Sequence, residues 1–426
     1  MREGWKSVKL VEACELFNDG DWIESKNQSP KGIRLIQTGN IGEGFFKNRE
    51  DKARYVSEDT FLQLKCTEVL PGDLLVSRLP EPVGRSCLIP DIDSKMITGV
   101  DCTIIRTKDD LLPEFLKYFQ LSRDYLSDVD SRTSGTTRKR ISRKNLGLIQ
   151  IPLPPLPEQK QIVAILDTAF AAIDQAKANI EKNIENAKEL FQSKLNEVFE
   201  EGGEGWEEKS LGDDKLLKII DGDRGKNYPK KVDFLQEGHC VFMNTGNVRP
   251  NGFDFSNVVF ITEERDNLLR KGKLQRQDVV MTTRGTIGNL GWYSPDIEYE
   301  HIRINSGMLV FRVNQEKILP EYLFALFRSS IITNQIEEKT SGAAQPQLPI
   351  KTLVTFKFPV HSSLKEQKEM VRLIEKMEGH QERLMASYYE RILNLEELKK
   401  SLLQQAFSGE LTLRQGSGQA KKKAIA

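Results

Sequence analysis

The sequence predicts an α+β protein in which two mixed α/β heads are separated by an antiparallel pair of long helices. Two observations predict this fold: a unit of about 200 residues occurs twice, and each copy ends in a long stretch with one apolar face. An apolar stripe of that length is unstable in water, so we expect the two helices to pair as an intramolecular coiled coil. The duplication gives the predicted fold a pseudo-two-fold axis and places the heads at opposite ends.

The internal repeat is visible as short motifs that recur in one order at a nearly constant offset. The matched pairs include Asp19-Gly20-Asp21 with Asp221-Gly222-Asp223, Thr38-Gly39-Asn40 with Thr245-Gly246-Asn247, Asp73-Leu74-Leu75 with Asp278-Val279-Val280, Pro113-Glu114 with Pro320-Glu321, and Glu158-Gln159-Lys160 with Glu366-Gln367-Lys368. The second copy therefore has the same predicted fold as the first.

Within each copy, short apolar runs broken by Gly, Pro, Asn and Asp predict strands and turns. The clearest predicted strands are 73–77, 102–106, 278–283 and 307–313. A helix is expected after each Pro-Glu pair. A Ser-Gly loop follows, and then a short strand at 148–151 or 354–358 leads into the long helix.

Apolar residues recur in steps of three and four along both long stretches, which is the period of a helix with one buried face. Pro157 falls in the first turn of the first helix, where its missing N–H costs nothing. The predicted boundaries are 1–152 for the first head, 153–202 for the first long helix, 203–360 for the second head, 361–413 for the second long helix and 414–426 for a disordered tail.

Composition excludes several classes of protein. The chain has 426 residues and no net charge, with 62 basic and 62 acidic side chains. No apolar run approaches the roughly 20 residues that span a bilayer, and the N-terminus lacks a hydrophobic signal region, so we expect a cytoplasmic protein without a membrane partner. The five cysteines are scattered, which predicts buried thiols and not a disulfide framework or a zinc site.

Motifs for catalysis are missing from the sequence. It contains no phosphate-binding loop, no G-x-G-x-x-G and no amino-methyltransferase tetrapeptide, and the four histidines are far apart. The string from Pro90-Asp91 to Lys95 resembles part of a nuclease site, but the second copy lacks the lysine and Pro-Asp is ordinary turn chemistry. We therefore predict no catalytic residue, no bound cofactor and no metal.

The binding signals are stronger. Thr136, Thr137, Arg138, Lys139, Arg140, Arg143 and Lys144 form a basic loop whose guanidinium groups and hydroxyls suit phosphate oxygens and guanine edges. The matching loop of the second copy carries Gln345 and Gln347, which suit adenine edges. Weaker candidates are Arg78 and Arg85, matched roughly to Arg284 and Asn289, and the cations Arg224, Lys226 and Lys230. The alternative to DNA binding by the basic segment is a solvated charged loop. For Thr38-Gly39-Asn40 and Thr245-Gly246-Asn247, base contact and strand-to-turn chemistry both remain open.

The duplicated head, the Asp-Gly-Asp and Thr-Gly-Asn motifs, the entry to the first long helix and the closing segment 402–411 resemble the DNA-specificity subunit of type I restriction–modification systems. That entry reads Leu153-Pro154-Pro155-Leu156-Pro157-Glu158-Gln159-Lys160. The resemblance implies a non-catalytic subunit with two target recognition domains, each recognising one half of a bipartite, asymmetric site in double-stranded DNA. It implies that the helices set the spacing and dock two methyltransferase subunits, which bind S-adenosylmethionine, and that restriction and translocase subunits join them. The second helix entry, 359–365, departs from the family pattern because it lacks the proline-rich run.

Two alternatives remain open at this point. The chain could be a self-contained DNA methyltransferase or endonuclease with an unfamiliar site, which would act on DNA without partners. It could also be a coiled-coil scaffold that binds only protein, which would show no preference for a DNA sequence.

Overall fold

The computed structural model describes residues 4–136, 138–200, 204–340 and 347–411. The chain divides into two compact units, one formed by residues 1–180 and 389–426 and the other by residues 181–388. Each unit contains one head, part of the first long helix and part of the second. The predicted disordered tail lies outside the described residues.

The first head consists of short strands and short helices, as its turn-rich sequence predicts. Its strands are β1 (Lys6–Lys9), β2 (Cys14–Asp19), β3 (Gln28–Ser29), β4 (Ile33–Ile36), β5 (Tyr55–Val56), β6 (Leu74–Ser77), β7 (Ser86–Leu88), β8 (Met96–Thr98), β9 (Cys102–Thr107) and β10 (Gln150–Leu153). Its helices are α1 (Glu58–Leu64), α2 (Pro113–Phe119), α3 (Arg123–Ser131) and α4 (Arg143–Gly147), and α5 (Leu156–Glu200) is the first long helix.

These strands form three sheets around buried aliphatic residues. One sheet has the order β2-β9-β6-β7 with antiparallel neighbours, and the second has the order β3-β5-β4-β8 with β4 and β8 parallel. The third pairs β1 with β10 and so joins the start of the head to the residues just before α5.

The second head repeats this organisation. Its strands are β11 (Trp206–Ser210), β12 (Leu217–Asp221), β13 (Cys240–Met243), β14 (Val248–Arg249), β15 (Gly252–Phe253), β16 (Val259–Ile261), β17 (Val279–Thr282), β18 (Leu290–Trp292), β19 (Ile302–Ile304), β20 (Met308–Val313) and β21 (Lys357–His361). Its helices are α6 (Glu263–Leu268), α7 (Pro320–Phe327), α8 (Ser330–Thr340) and α9 (Ile350–Leu353), and α10 (Leu364–Ser408) is the second long helix.

Sheet order confirms the internal repeat. The order β12-β20-β17-β18 matches β2-β9-β6-β7, the parallel pair β13 and β19 matches β4 and β8, and β11 with β21 matches β1 with β10. The predicted α+β class and the duplicated head are therefore correct.

Contacts within each unit show that the two long helices are antiparallel, as predicted. In the first unit Lys177 pairs with Glu396 at 2.9 Å and Asp174 pairs with Lys399, so rising numbers on α5 meet falling numbers on α10. In the second unit the amide of Gln381 on α10 donates to the carbonyl of Ala187 on α5. The apolar stripe is buried at the heads, where Leu166 and Leu195 are fully covered.

A buried glutamine explains why Glu-Gln-Lys recurs at the start of both long helices. The Nε2 of Gln159 donates to the carbonyls of Asp110 and Pro154 at 2.8 Å each, and its Oε1 accepts from the backbone N–H of Leu112. Gln367 makes the same three bonds with Lys317, His361 and Leu319. Both side chains are fully buried, so each satisfies backbone groups of the head and fixes the helix start against it. We call them the anchoring glutamines.

Two local predictions were wrong. The short strands before the long helices are β10 and β21, which start two and three residues later than the predicted 148–151 and 354–358. The first residues of the predicted strands, Leu148 and Val354, have helical backbone instead, because they end helices α4 and α9. The basic segment is also not all loop. Ser142 accepts a hydrogen bond from the backbone N–H of Asn145 and starts α4, so Arg143 and Lys144 are helical.

Within the part of the chain that the structure describes, no helix has both the length and the hydropathy of a membrane span.

Candidate nucleic-acid interface

Several strands of the first head end at one edge of its sheets. β2, β4, β6 and β8 run toward this edge and β9 begins there, as the registers Asp19↔Thr103, Ser77↔Cys102 and Ile36↔Thr98 require. We define the loop edge of the first head as residues 20–22, 37–40, 78–85, 99–101, 134–136 and 138–141. In the second head the corresponding loops are 222–227, 244–247, 283–289, 305–307 and 347–349.

Close backbone approach at this edge explains the glycine of both Asp-Gly-Asp motifs. A Cβ on Gly20 would lie 2.3 Å from the carbonyl oxygen of Thr98, and one on Gly222 would lie 2.2 Å from that of Asn305. No side chain larger than hydrogen fits such a distance. The motif therefore holds two loops of the edge together in each head.

The basic loop projects from the loop edge of the first head. Ser134 and Arg140 exchange backbone hydrogen bonds of 3.0 and 2.8 Å, which closes the loop between them. At its tip the side chains of Arg138 and Lys139 are 72% and 65% exposed. Thr136 is exposed beside them, and Thr137 lies outside the described residues.

Acidic side chains partly balance the basic loop. Asp101 lies 3.3 Å from Arg140 and 3.9 Å from Arg138, while Asp130 lies 3.8 Å from Lys139. Exposed pairs of this kind contribute little to stability, so a phosphate group could replace the carboxylates at small cost. The loop can therefore exchange internal pairs for DNA contacts.

Arg143 and Lys144, which the sequence placed in the basic loop, lie on the first turn of α4 instead. Arg143 donates to the side-chain oxygen of Asn18 at 3.3 Å. Lys144 is exposed and has no ion pair within the described ranges. The structure thus places Arg138, Lys139 and Arg140 at the loop edge and Arg143 beside Asn18, at the end of β2.

Arg78 and Arg85 have internal partners. Arg78 is 4% exposed, pairs with Asp19 at 3.2 Å and donates to the carbonyl of Val100. Arg85 donates to four backbone carbonyls, those of Thr38, Ile41, Leu79 and Pro82. These bonds hold the loop edge in shape, and a direct DNA contact by either residue stays a prediction.

The rough match of Arg78 to Arg284 was wrong by one residue. Arg78 donates its backbone N–H to Asp101 and accepts from Ile141, and Thr283 makes the same pair of bonds with Gly307 and Leu348. Arg284 is therefore one position further and exposed, whereas Arg78 is buried. Carrying the match of Asp73-Leu74-Leu75 with Asp278-Val279-Val280 forward without a gap already pairs Arg78 with Thr283, so the error came from pairing arginine with arginine.

The match of Arg85 to Asn289 holds in the structure. The side-chain amide of Asn289 donates to the carbonyl of Val248 at 2.8 Å, as Arg85 does to that of Ile41. Gln347 is exposed and forms an antiparallel bridge with Arg284, and both line a pocket of about 180 Å³ with Asp221 and Arg224. Gln345 lies outside the described residues.

The remaining candidates follow Asp221-Gly222-Asp223 in the second head. Arg224 is 53% exposed and pairs with Asp221 at 3.2 Å, while Lys226 and Lys230 are exposed. Burial by itself would raise the pKa of Asp223, but hydrogen bonds from the backbone N–H groups of Gly225 and Arg270 lower it overall. This carboxylate therefore stays ionised and fixes the turn that presents the cations.

The structure assigns a role to Thr38-Gly39-Asn40 that the sequence left open. The side-chain amide of Asn40 donates to the carbonyls of Lys47 and Asn48, and Asn247 does the same for Asp254 and Asn257. Both asparagines are nearly fully buried, so the motif is turn chemistry. We call them the loop asparagines.

Two features were not predicted from the sequence. His239 and His301 are distant in the chain, but they lie directly before the neighbouring strands β13 and β19, and their rings stack with centroids 4.2 Å apart. Within the described residues no group of three or more His, Cys, Asp or Glu side chains could hold a metal. The second feature is a group of cations at 47–54 around the first loop asparagine, which a count of charges along the sequence would have found.

Comparison with known proteins identifies the family. The model of the type I restriction modification DNA specificity domain matches residues 2–186 and again 203–393. Relatives include the type I restriction enzyme EcoBI specificity subunit of Escherichia coli, 26% identical over 89% of this chain and 86% of its own length. Another is the putative MjaX specificity subunit of Methanocaldococcus jannaschii, 23% identical over 97% of this chain and 95% of its own length.

Solved structures show the same fold. A chain from a study of complex assembly and conformational transition in a type I R-M system has a TM-score of 0.77 and 18% identity, and the match covers 96% of this chain and 99% of that one. The HsdS subunit from Thermoanaerobacter tengcongensis has a TM-score of 0.56 and 20% identity, with 96% and 98% covered.

Proposed function

This chain belongs to the type I restriction–modification DNA specificity family, and from that premise we propose that its two loop edges each recognise one half of a bipartite, asymmetric DNA site. The specificity subunit is the non-catalytic, DNA-recognising component of such an enzyme. What remains to be assigned is the surface of this chain that contacts the bases.

The observation that carries the proposal is one loop frame with two different tips. Both heads keep the Asp-Gly-Asp glycine, the loop asparagine and the backbone bonds that close the edge. On this frame the first head presents Arg138, Lys139 and Arg140, whereas the second presents Arg284 and Gln347. Arginine forks suit guanine and phosphate, and glutamine suits adenine, so the two tips fit different base sequences.

We propose the surroundings of this chain from its family. Two methyltransferase subunits dock on the long helices and supply S-adenosylmethionine, which this chain does not bind, and restriction and translocase subunits join them to cut unmethylated foreign DNA. Flipping and methylating an adenine requires a pocket with cofactor, which fits a division of labour between subunits. The assembly acts in the cytoplasm of a prokaryote.

Head replacement tests the proposal directly. Residues 1–152 are exchanged for the matching head of a relative, and methylated adenines are mapped across the host genome with the methyltransferase subunits present. We expect one half-site to change while the other half-site and the spacing are retained. A change in both half-sites would contradict separate recognition by the two heads.

Single loop variants then locate the contacts. Arg138→Ala should relax recognition in the first half-site, at a cost of about 1–3 kcal/mol if it contacts a guanine, and Gln347→Ala should do so only in the second. Lys6→Ala, an exposed change on β1 away from the loop edge, is the control. Equal effects of Arg138→Ala on shuffled and recognised duplexes would make that residue a phosphate contact.

The two alternatives from the sequence are tested with the isolated chain. Methylation or cleavage of plasmid DNA without partner subunits would contradict the non-catalytic role. A chain that, with the methyltransferase present, binds recognised and shuffled duplexes equally would be a protein-only scaffold.

A further inference from the structure

The first head has a basic groove that the predicted contacts do not include. Its volume is about 540 Å³, and it is lined by Gln37, Thr38, Gly39, Asn40, Arg49, Lys52, Ala53 and Arg54. Arg49, Lys52 and Arg54 are exposed, and no acidic residue lines the groove. The two acidic side chains of the same segment, Glu50 and Asp51, lie outside its lining.

The cations of the groove are available to a ligand. Lys52 and Arg54 make no ion pair or side-chain hydrogen bond with the part of the chain that the structure describes. Arg49 donates to the carbonyl of Gly39 at 3.3 Å, which directs its guanidinium into the groove and leaves its other donors unused. A Cβ on residue 39 would lie 2.4 Å from this guanidinium, so glycine makes room for it.

The walls of the groove are held by buried bonds. The loop asparagine Asn40 fixes the carbonyls of Lys47 and Asn48, and Arg85 fixes the carbonyl of Thr38 at 2.9 Å. The backbone that carries the charged side chains is therefore positioned before any ligand arrives, which lowers the entropy cost of binding. Because 37–40 belongs to the loop edge, the groove lies on the side of the head where DNA contact is proposed.

The second head has the same turn without the charge. Lys47 donates its backbone N–H to Asn40 at 2.8 Å, and Asp254 donates to Asn247 at the same distance, so the two residues are structural equivalents. The segment that follows in the second head, 254–258, contains an aspartate and no cation. The groove is thus a property of the first head and not of the repeated frame.

We propose that this groove binds backbone phosphates of duplex DNA, so that the first head has an anchoring site for DNA that the matching turn of the second head lacks. The inference rests on the proposed DNA-binding function and adds to it a phosphate site that belongs to one head. Phosphate contacts carry no sequence information, but they supply affinity that depends on salt.

The test uses the full chain and a labelled 40-base-pair duplex of shuffled sequence. Binding is measured by anisotropy between 50 and 200 mM salt for the wild type and for Lys52→Gln/Arg54→Gln, which leaves Arg49 and the loop bonds in place. Losing two phosphate contacts should reduce the slope of log affinity against log salt by about 2. The affinity deficit of the variant should then grow about tenfold as salt falls from 200 to 50 mM.

Matched controls separate local from general charge effects. Lys6→Gln/Lys160→Gln removes the same charge from exposed positions on β1 and α5 and should leave the slope unchanged. Lys52→Arg/Arg54→Lys should retain the wild-type slope because it keeps both charges.

An unchanged slope in the groove variant, an equal change in the control, no wild-type binding at 50 mM salt or tighter binding of a single strand of equal length would each overturn the inference. Failure of the proposed function would appear instead in the half-site maps after head replacement. The two results are distinguishable because the groove measurement uses DNA without a recognition site.

Discussion

The two heads are built on one frame and share several of the side chains that hold it, but their exposed tips differ. Both keep an anchoring glutamine, a loop asparagine and an Arg–Asp pair, Arg106 with Asp73 and Arg312 with Asp278. Each of these groups satisfies buried backbone atoms or a buried charge, which leaves few substitutes. The side chains at the exposed tips satisfy no buried group and differ chemically between the heads. One difference between the heads therefore lies at the proposed DNA surface.

A second difference lies inside the heads, between β4 and β8 in the first and β13 and β19 in the second. Helix and strand registers make Phe61 and Ile97 the equivalents of Asp266 and Arg303. The first head therefore has an apolar cluster there, whereas the second has a buried ion pair whose side chains are 1% and 6% exposed. The frame accepts either solution because both fill the same space.

The largest expected effect is the loss of that buried pair. Asp266→Asn should destabilise the second unit by about 3–5 kcal/mol, because Arg303 would remain buried without its counter-charge. Urea unfolding followed by hydrogen exchange in β13 and β19 measures this. Glu263→Gln, an exposed change on the same helix, is the control. The double variant Asp266→Leu/Arg303→Leu removes both charges but should remain less stable than wild type, because Arg303 also donates to the backbone carbonyls of Lys271, Asp266 and Leu269. A single variant as stable as wild type would show that the pair is solvated.

The anchoring glutamines should have equal effects in the two units. Gln159→Ala and Gln367→Ala each leave three buried backbone groups unsatisfied, at a cost of about 2–4 kcal/mol. Thermal and urea unfolding check this, with the exposed Gln175→Ala expected to change stability by less than about 0.5 kcal/mol. Markedly unequal losses would mean that the two helix starts are not equivalent.

The smallest expected effect is a difference in acid sensitivity. Burial raises the pKa of Asp21, so its contribution to stability is fully present below its unfolded pKa and is lost as pH rises through the folded value. Burial by itself would raise the pKa of the equivalent Asp223 and of the buried Asp266, but the pKa of each is lowered overall. Backbone N–H groups lower the pKa of Asp223, and the cations Lys273 and Arg303 lower that of Asp266. Their contributions are present above the unfolded pKa of about 3.9 and are lost as pH falls below it.

Acidification below about pH 4 should therefore unfold the second unit before the first. Hydrogen exchange in β4 and β8 compared with β13 and β19, between pH 6 and pH 3, measures the order. In Asp266→Leu/Arg303→Leu, which lacks the Asp266 carboxylate, hydrogen exchange in β13 and β19 should depend less on pH than in the wild type. Simultaneous loss of both units in that range would show that other carboxylates dominate.

The duplication, the α+β class, the two long helices and their pairing could all be predicted from the sequence, since each follows from a periodic pattern or from motifs in a fixed order. It also placed the strands at 102–106 and 307–313 almost to the residue, because alternating burial and turn residues are local signals. The non-catalytic role followed from the resemblance of the repeat and its motifs to the specificity-subunit family, which the family match shows.

Tertiary contacts distinguish the polar residues that serve the fold from those that are exposed. Arg78, Arg85 and Asn40 are as polar in sequence as Arg138 and Gln347, but the first three donate to backbone carbonyls of distant segments. The groove of Arg49, Lys52 and Arg54 likewise exists because a turn closes around Asn40. Hydrogen bonding between residues far apart in the chain depends on the packed arrangement, so no local pattern encodes it.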